Sequence, residues 1–180
     1  VALGKKLMHG KGTCELCHAI EHEDPIKNRA PYLVTVVANA GERLKDPRYK
    51  GKATNVEEYI RESTHEPSTY VVAGFGKPGT NDTESPMPRI NKPPVALSEV
   101  EIDAIIAYLQ SKEKAQVTVK LPTAAPAPAA AEAVPVSAKT PEEAINKFGC
   151  GVCHKVPVPD AVGEVGPNLT HVGGRRKAVF

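Results

Sequence analysis

Two short motifs in this chain combine residues that can hold an iron-containing cofactor. All four cysteines lie in C-x-x-C pairs followed directly by histidine: Cys14, Cys17 and His18 in "CELCH", and Cys150, Cys153 and His154 in "CGVCH". Thiols three positions apart can each add to one vinyl group of a porphyrin, and the adjacent histidine can then bind the iron. The spacing predicts two covalently bound haem c groups, with His18 and His154 as iron ligands.

Other chemistries also use paired cysteines. A C-x-x-C pair can form a redox disulfide, a structural disulfide or half of a zinc site. Two zinc-binding pairs typically lie about 12 to 20 residues apart, whereas more than a hundred residues separate these two. Both pentapeptides are complete and together they use every cysteine, which favours haem attachment at both.

A repeat surrounds the two motifs. Proline follows each motif histidine by 13 residues, leucine follows the proline by two, and an arginine ends a later "GER" or "GGR". The matching pairs are Pro31 and Pro167, Leu33 and Leu169, and Arg43 and Arg175. At the haem motif the two copies are offset by 136 residues. A repeat of this size predicts duplicated domains rather than a solenoid.

These motifs and their repeat resemble the small, all-helical class I cytochromes c. The resemblance covers residues 1–112 as a full domain and about 139–180 as the start of another. It implies an all-α fold of two cytochrome c domains, of which the C-terminal one is truncated in this chain. In that family a proline at the position of Pro31 or Pro167 accepts, through its carbonyl, a hydrogen bond from the iron-binding histidine. That bond fixes the orientation and tautomer of the ring.

The resemblance also implies a methionine as the second iron ligand of the first haem. Met87 lies in a loop rich in Gly and Pro, shortly before the last predicted helix of the first domain, where the family places this ligand. A gap-filling or exposed loop residue is the alternative for Met87. His65 is its nearest competitor, and Met8 is poorly placed. A His–Met pair raises the reduction potential relative to two histidines.

Arg43 and Arg175 are further candidates at the cofactor. Each could donate charge-assisted hydrogen bonds to haem propionates, and a solvated surface arginine is the alternative. The remaining histidines, His9, His22 and His171, are expected on the surface or in loops.

Helices must position these residues, and apolar periodicity predicts several. A short helix is expected over residues 2–10 and another near 34–44. Thr54 with Glu57, and Ser98 with Glu101, are candidate capping boxes for two more. The buried face of the last helix is predicted to comprise Ile102, Ile105, Ile106 and Leu109. The family implies that the first and last helices cross beside the haem.

The predicted domains are residues 1–114, an Ala/Pro-rich linker over 115–139 and a second haem domain over 140–180. Such a linker favours an extended, polyproline-like chain. The second domain is predicted to start with a helix that Thr140 caps, with Pro141 in its first turn and Glu143 completing the cap. Ile145 and Phe148 are expected to face its core.

The second haem lacks an obvious distal ligand. Residues 141–180 contain no methionine. We expect that the sequence is incomplete at this end. Alternatively, a partner polypeptide completes the domain, or the sixth position is open or filled by His171.

The remaining features narrow the function. The formal net charge is +2 and no basic face is concentrated, so a nucleic acid partner is not expected. The sequence contains no run of 18 apolar residues, so no transmembrane segment is predicted. The first residue is Val, which suggests a processed N-terminus. We predict a non-enzymatic electron carrier that relays single electrons between a redox protein donor and acceptor, with other subunits of a membrane respiratory complex as candidate partners. The alternatives are a dihaem peroxidase-like oxidoreductase and a haem-based gas sensor. The resemblance implies a periplasmic location, or the outer face of the cytoplasmic membrane.

Overall fold

The chain divides into two compact units, Val1–Thr123 and Ala124–Phe180. The computed structural model describes residues 1–25, 29–93, 95–120, 138–148, 150–158, 163 and 166–171. Within these ranges the regular structure is helical and contains no β-strand, so the predicted all-α class is confirmed there. Arg175 and most of the predicted linker lie outside them.

In the part that the structure describes, the first unit contains four α-helices and one short 3-10 helix. The α-helices are α1 (Ala2–Met8), α2 (Val36–Arg43), α3 (Val56–His65) and α4 (Glu99–Lys112). The 3-10 helix spans Cys14–Leu16, at the first motif. Long irregular segments separate α2, α3 and α4.

The last helix of the unit, α4, contributes more buried residues to the core than any other helix. The predicted capping box is present: the Ser98 hydroxyl accepts from the Glu101 backbone N–H, and the Glu101 carboxylate accepts from the Ser98 N–H at 2.8 Å. The four residues predicted for its inner face are all buried. Burial of a Leu or Ile side chain stabilises a fold by about 1.5–3 kcal/mol, so this face contributes heavily to folding.

Helix α1 crosses α4 at very short range, as the family resemblance implies. A Cβ atom built on Gly4 would lie 2.0 Å from the Ala104 carbonyl oxygen and 2.7 Å from the Tyr108 Cβ. No other residue type fits at Gly4 without separating the two backbones. Met8, at the end of α1, is fully buried, in keeping with an apolar packing role.

The capping residue of α3 lies one position later in the chain than predicted. Asn55 is the capping residue, and its side-chain oxygen accepts from the Glu58 N–H at 3.0 Å. Thr54 donates to the Glu58 carboxylate from its backbone nitrogen (2.7 Å) and its hydroxyl (2.9 Å). The predicted pair of Thr54 with Glu57 is therefore wrong by one position. Asn is as good a cap as Thr, and Asn55 has a glutamate at the same spacing.

Residues just after α4 pack against the same unit. The Gln110 amide is buried and pairs with Thr118 through two hydrogen bonds of 2.9 and 3.0 Å. The Thr118 hydroxyl also donates to Glu57 at 2.6 Å, and the neighbouring Val119 is buried. The beginning of the predicted linker is therefore ordered on α3 and α4.

The second unit contains α5 (Pro141–Lys147) and the single turn α6 (Cys150–Cys153) in its described part. The predicted Thr140 cap is confirmed, because its hydroxyl accepts from the Glu143 N–H at 3.1 Å. The prediction that Phe148 faces the core is wrong, since 60% of its surface is exposed. Phe148 follows the last residue of α5, and its N–H donates to the Ala144 carbonyl at 2.9 Å.

Candidate functional site

The first motif forms a tight turn that places its cysteine and histidine one helical turn apart. The His18 N–H donates to the Cys14 carbonyl at 2.9 Å. Thr13, immediately before the 3-10 helix, has a left-handed backbone with φ of 53°. A β-branched residue is uncommon in this conformation, which costs about 1–2 kcal/mol. The strain lies directly beside the candidate site, as expected where function constrains the backbone.

The sulfur of Cys14 lies in an enclosed position. Its Sγ is 3.6 Å from the Gly12 carbonyl oxygen. Burial raises the pKa of the Cys14 thiol to about 12, with a backbone hydrogen bond opposing the shift. None of the four cysteines forms a disulfide. This environment favours a neutral sulfur over a thiolate, and a thioether bond to a porphyrin leaves sulfur neutral.

The ring of His18 has a fixed tautomer. Its Nδ1 lies 2.5 Å from the Pro31 carbonyl oxygen. A carbonyl oxygen can only accept, so Nδ1 carries the proton and donates, and the lone pair is on Nε2. Such a tautomer is the one required for an iron bond through Nε2, and the hydrogen bond makes the ring a stronger donor to a metal. The residues of this motif therefore fit a covalently attached haem.

The second motif repeats this arrangement. The His154 N–H donates to the Cys150 carbonyl at 2.9 Å, and His154 Nδ1 donates to the Pro167 carbonyl at 2.8 Å. The His154 ring lies against the backbone of Gly166, where an added Cβ would be 2.6 Å from the ring Cε1. A side chain at that position would displace the ring from its hydrogen bond.

A third hydrogen bond also recurs in both units. The Leu33 N–H donates to the Ala19 carbonyl at 2.9 Å, and the Leu169 N–H donates to the Lys155 carbonyl at 2.9 Å. Ala19 and Lys155 each follow directly after the motif histidine. In both units this bond fastens the proline-containing segment to the residue next to that histidine.

Met87 lies half-buried in the long segment between α3 and α4. Its backbone N–H donates to the Ser85 hydroxyl at 3.1 Å. The segment is fastened to the end of α3 through the Ile90 N–H, which donates to the Thr64 carbonyl at 3.1 Å. It is closed on itself by the Leu97 N–H, which donates to Ile90. These bonds hold the loop around Met87 in a defined place, and its role as an iron ligand stays a prediction.

The competing histidine, His65, is already engaged at both ring nitrogens. Nδ1 lies 2.8 Å from the Arg61 carbonyl oxygen, and Nε2 lies 2.8 Å from a carboxylate oxygen of Glu99. Its position thus connects α3 to the first turn of α4. Elsewhere, His9 pairs with Glu15 at 2.7 Å, and His171 lies in an exposed turn.

Of the two arginines predicted to donate to haem propionates, the structure describes only Arg43. Arg43 is half-exposed at the end of α2 and interacts with the hydroxyl of the buried Tyr59. Burial raises the pKa of Tyr59, and Arg43 opposes this shift. Arg175 and its "GGR" segment lie outside the described residues.

A cluster of three tyrosines, not predicted from the sequence, lies beside Arg43. The ring centroids of Tyr49, Tyr59 and Tyr70 lie 5.9 to 6.2 Å apart in tilted and edge-on contacts. The Tyr49 hydroxyl donates to Glu62 at 2.5 Å and the Tyr70 hydroxyl donates to Asp46 at 2.7 Å. The only sequence signal was the occurrence of three of the five tyrosines between residues 49 and 70.

None of the helices within the described ranges is long and apolar enough to cross a membrane. A search among curated proteins finds no match to this chain. The model of one protein family, described as "Cytochrome c", matches residues 1–113. The match includes the first motif, Pro31 and Met87, and it ends one residue after α4.

Proposed function

The chain belongs to the cytochrome c family, and on that premise we propose that it is a dihaem electron-transfer protein. A cytochrome c domain carries covalently bound haem and exchanges electrons with redox partners, and Cys14 and Cys17 fit one attachment motif. The finer proposal is that a second haem c is attached at Cys150 and Cys153, and that the chain relays single electrons between a donor protein and an acceptor protein. When bound, haem supplies the reversible one-electron chemistry of its iron.

One observation supports the proposal of a second haem. Three hydrogen bonds of the first motif recur in the second at an offset of 136 residues. They are the turn bond from histidine to cysteine, the bond from the histidine ring to proline, and the bond from leucine to the residue after histidine. Because a ring bond with the same polarity leaves the lone pair on Nε2 in both units, both histidines are prepared to bind a metal.

The protein's own residues then have distinct roles. His18 and His154 each supply a nitrogen to iron, while the Pro31 and Pro167 carbonyls hold these rings in orientation and increase their basicity. Met87 supplies a thioether sulfur to the first haem, which raises its reduction potential. Arg43, and Arg175 at the equivalent position of the repeat, donate to propionates.

The proposed partners follow from the family. They are a redox protein donor and acceptor, including subunits of a membrane respiratory complex. The proposed location is the periplasm or the outer face of the cytoplasmic membrane, the side on which thioether attachment takes place in bacteria with this type of cytochrome.

Intact mass of the denatured protein tests the proposal. We expect the mass of the chain plus two haems, and one haem fewer after either Cys14→Ser/Cys17→Ser or Cys150→Ser/Cys153→Ser. One haem in the parent, unaffected by the second pair of substitutions, would refute the second site. A high-spin ferric spectrum together with turnover of hydrogen peroxide would instead favour the peroxidase-like alternative.

A further inference from the structure

The C-terminal end of α4 is attached to the segment that follows the first motif. The Tyr108 hydroxyl donates to the Glu21 carboxylate. The Glu113 carboxylate accepts from the backbone N–H groups of Val37 and Ala38, at 2.7 and 3.1 Å, at the start of α2. The C-terminal end of α4 therefore contacts the chain at Glu21 and again at Val37 and Ala38.

Between these two contacts lies Lys112, which bonds to the backbone on both sides of the His18–Pro31 pair. Its ammonium group donates to the Ile20 carbonyl and, at 3.0 Å, to the Leu33 carbonyl. Ile20 is two residues after His18, and Leu33 is two residues after Pro31. The Lys112 side chain thus connects the backbone segment that contains His18 to the segment that contains Pro31, the hydrogen-bond acceptor of His18.

The bridge adds to a single backbone bond at the same place. The Leu33 N–H donates to Ala19, while the Leu33 carbonyl accepts from Lys112. Without the ammonium, two backbone carbonyls would lose a charged hydrogen-bond donor, and charged donors form stronger bonds than neutral ones. Lys112 is therefore placed to control the distance between the Pro31 carbonyl and His18 Nδ1.

Packing alone does not explain a lysine at this position. Burial lowers the pKa of Lys112, an effect that nearby carboxylates, Glu21 foremost, oppose. A partly desolvated ammonium is costly, and an apolar side chain of similar length would avoid that cost. The gain must lie in the two hydrogen bonds that an apolar side chain cannot make.

We propose that Lys112 is a positioning residue for the first haem, because it fixes the Pro31 carbonyl against His18 and so sets that haem's reduction potential. This inference rests on the proposed haem at Cys14 and Cys17. A shorter bond from Nδ1 to the carbonyl makes the ring more electron-donating and stabilises ferric iron, which lowers the potential. A longer bond has the opposite effect.

The test is Lys112→Met in the full-length holoprotein, with two measurements. Nuclear magnetic resonance of the reduced protein follows the exchange of the His18 Nδ1 proton with solvent, and potentiometry follows both haems. We expect exchange to accelerate by about tenfold, the order expected when the one bond from His18 Nδ1 to the Pro31 carbonyl is lost. We also expect one of the two midpoint potentials to become more positive while the other stays constant.

Two further variants separate positioning from general destabilisation. Lys112→Arg keeps a charged donor and should retain most of the parent's exchange protection. Lys50→Met is the matched control, because Lys50 also donates to a backbone carbonyl, that of Pro47 at 2.8 Å, but is exposed, and Pro47 lies outside the two segments that carry His18 and Pro31. It should leave both measurements unchanged.

Parent-like exchange and parent-like potentials in Lys112→Met would overturn the inference, even if the variant were less stable. Should that variant not fold, Lys112→Gln replaces it, because its shorter amide reaches at most one of the two carbonyls. No change in either measurement for Lys112→Gln would also overturn the inference. Failure of the proposed function looks different, since the parent itself would then show no redox signal from a haem at Cys14 and Cys17.

Discussion

His18 and His154 each commit one ring nitrogen to a backbone carbonyl, and this determines what the other nitrogen can do. Both partners of each bond lie 13 residues apart. The recurring offset singled out the two prolines, and the family resemblance implied that their carbonyls accept from the histidines. Lys112 and Ile20 are 92 residues apart, and no local pattern indicates such a pair. At this scale the sequence predicts chemistry that is local in the chain and misses side chains that arrive from a distant helix.

Substitution of Met87 tests the second iron ligand. In Met87→Ala we expect the ferric first haem to change from low-spin to high-spin. Its midpoint potential should fall by on the order of 0.1 V, within the range of about 0.8 V that axial ligands span. Optical spectroscopy and potentiometry measure both effects. Met8→Leu is the control, because Met8 is buried and a volume-conserving exchange costs less than about 1.5 kcal/mol. An unchanged spectrum in Met87→Ala would remove Met87 from the site.

Asp46 gives a prediction about acid stability. Hydrogen bonds from Arg48, with a further one from Tyr70, hold the pKa of the Asp46 carboxyl well below its usual range. A carboxyl whose pKa is lower in the folded state stabilises the fold above its unfolded pKa of about 3.9, and this contribution is lost as the pH falls further. Asp46→Asn should therefore lower the free energy of unfolding at pH 7 and flatten its decline below about pH 4.

Urea unfolding of the parent and Asp46→Asn at several pH values measures this slope. Tyr70→Phe removes only one of the donors and should flatten the acid decline less than Asp46→Asn does. If the free energy of unfolding declines equally below about pH 4 in the parent and in Asp46→Asn, this carboxylate contributes nothing to acid unfolding.

At the scale of elements, apolar periodicity identified α4, and the spacing of Ser98 and Glu101 identified its cap, because both signals are local in the chain. The same reasoning placed the cap of α3 one residue early, since Thr54 and Asn55 are both good caps and each has a glutamate three positions later. The close contact of α1 with α4 had a weaker signal. In the sequence Gly4 looks like an ordinary position in a short helix. The contact with Ala104 shows that only glycine fits there.

The two helical glycines Gly4 and Gly41 should respond to alanine in opposite ways. A Cβ on Gly4 meets the backbone of α4, whereas a Cβ on Gly41 meets nothing within 4 Å. Overpacking costs about 1–3 kcal/mol and more where backbone must move, so Gly4→Ala should destabilise the fold by at least about 2 kcal/mol. Gly41→Ala should stabilise it by up to about 1 kcal/mol. Thermal unfolding of the holoprotein compares them, and similar values for both would contradict the close crossing.

At the scale of the whole molecule, the family match and the repeat cover different parts of the chain. The match ends at residue 113, while the second motif begins at Cys150. Its assignment therefore depends on a repeat that the sequence shows in a few residues and the structure in three hydrogen bonds. The predicted linker is rich in Ala and Pro, a composition that buries little surface and gives proteases ready access.

Limited proteolysis with elastase, which cleaves after small residues such as Ala, tests this organisation. We expect the first cuts between residues 121 and 137, and two fragments that both keep covalent haem after denaturing electrophoresis. In the Cys150→Ser/Cys153→Ser chain only the N-terminal fragment should stain for haem. First cuts inside residues 1–113, or a C-terminal fragment without haem in the parent, would contradict the two-unit interpretation.

The crossing of α1 and α4 also restricts when the first unit can fold. Gly4 leaves the ribosome 100 residues before Ala104, an interval of roughly 5–20 s at about 5–20 residues per second. Throughout that time α1 lacks the helix against which Gly4 packs. Thioether attachment on the outer side of the membrane, as proposed, would follow this interval, so haem would join a chain in which both helices have already been synthesised.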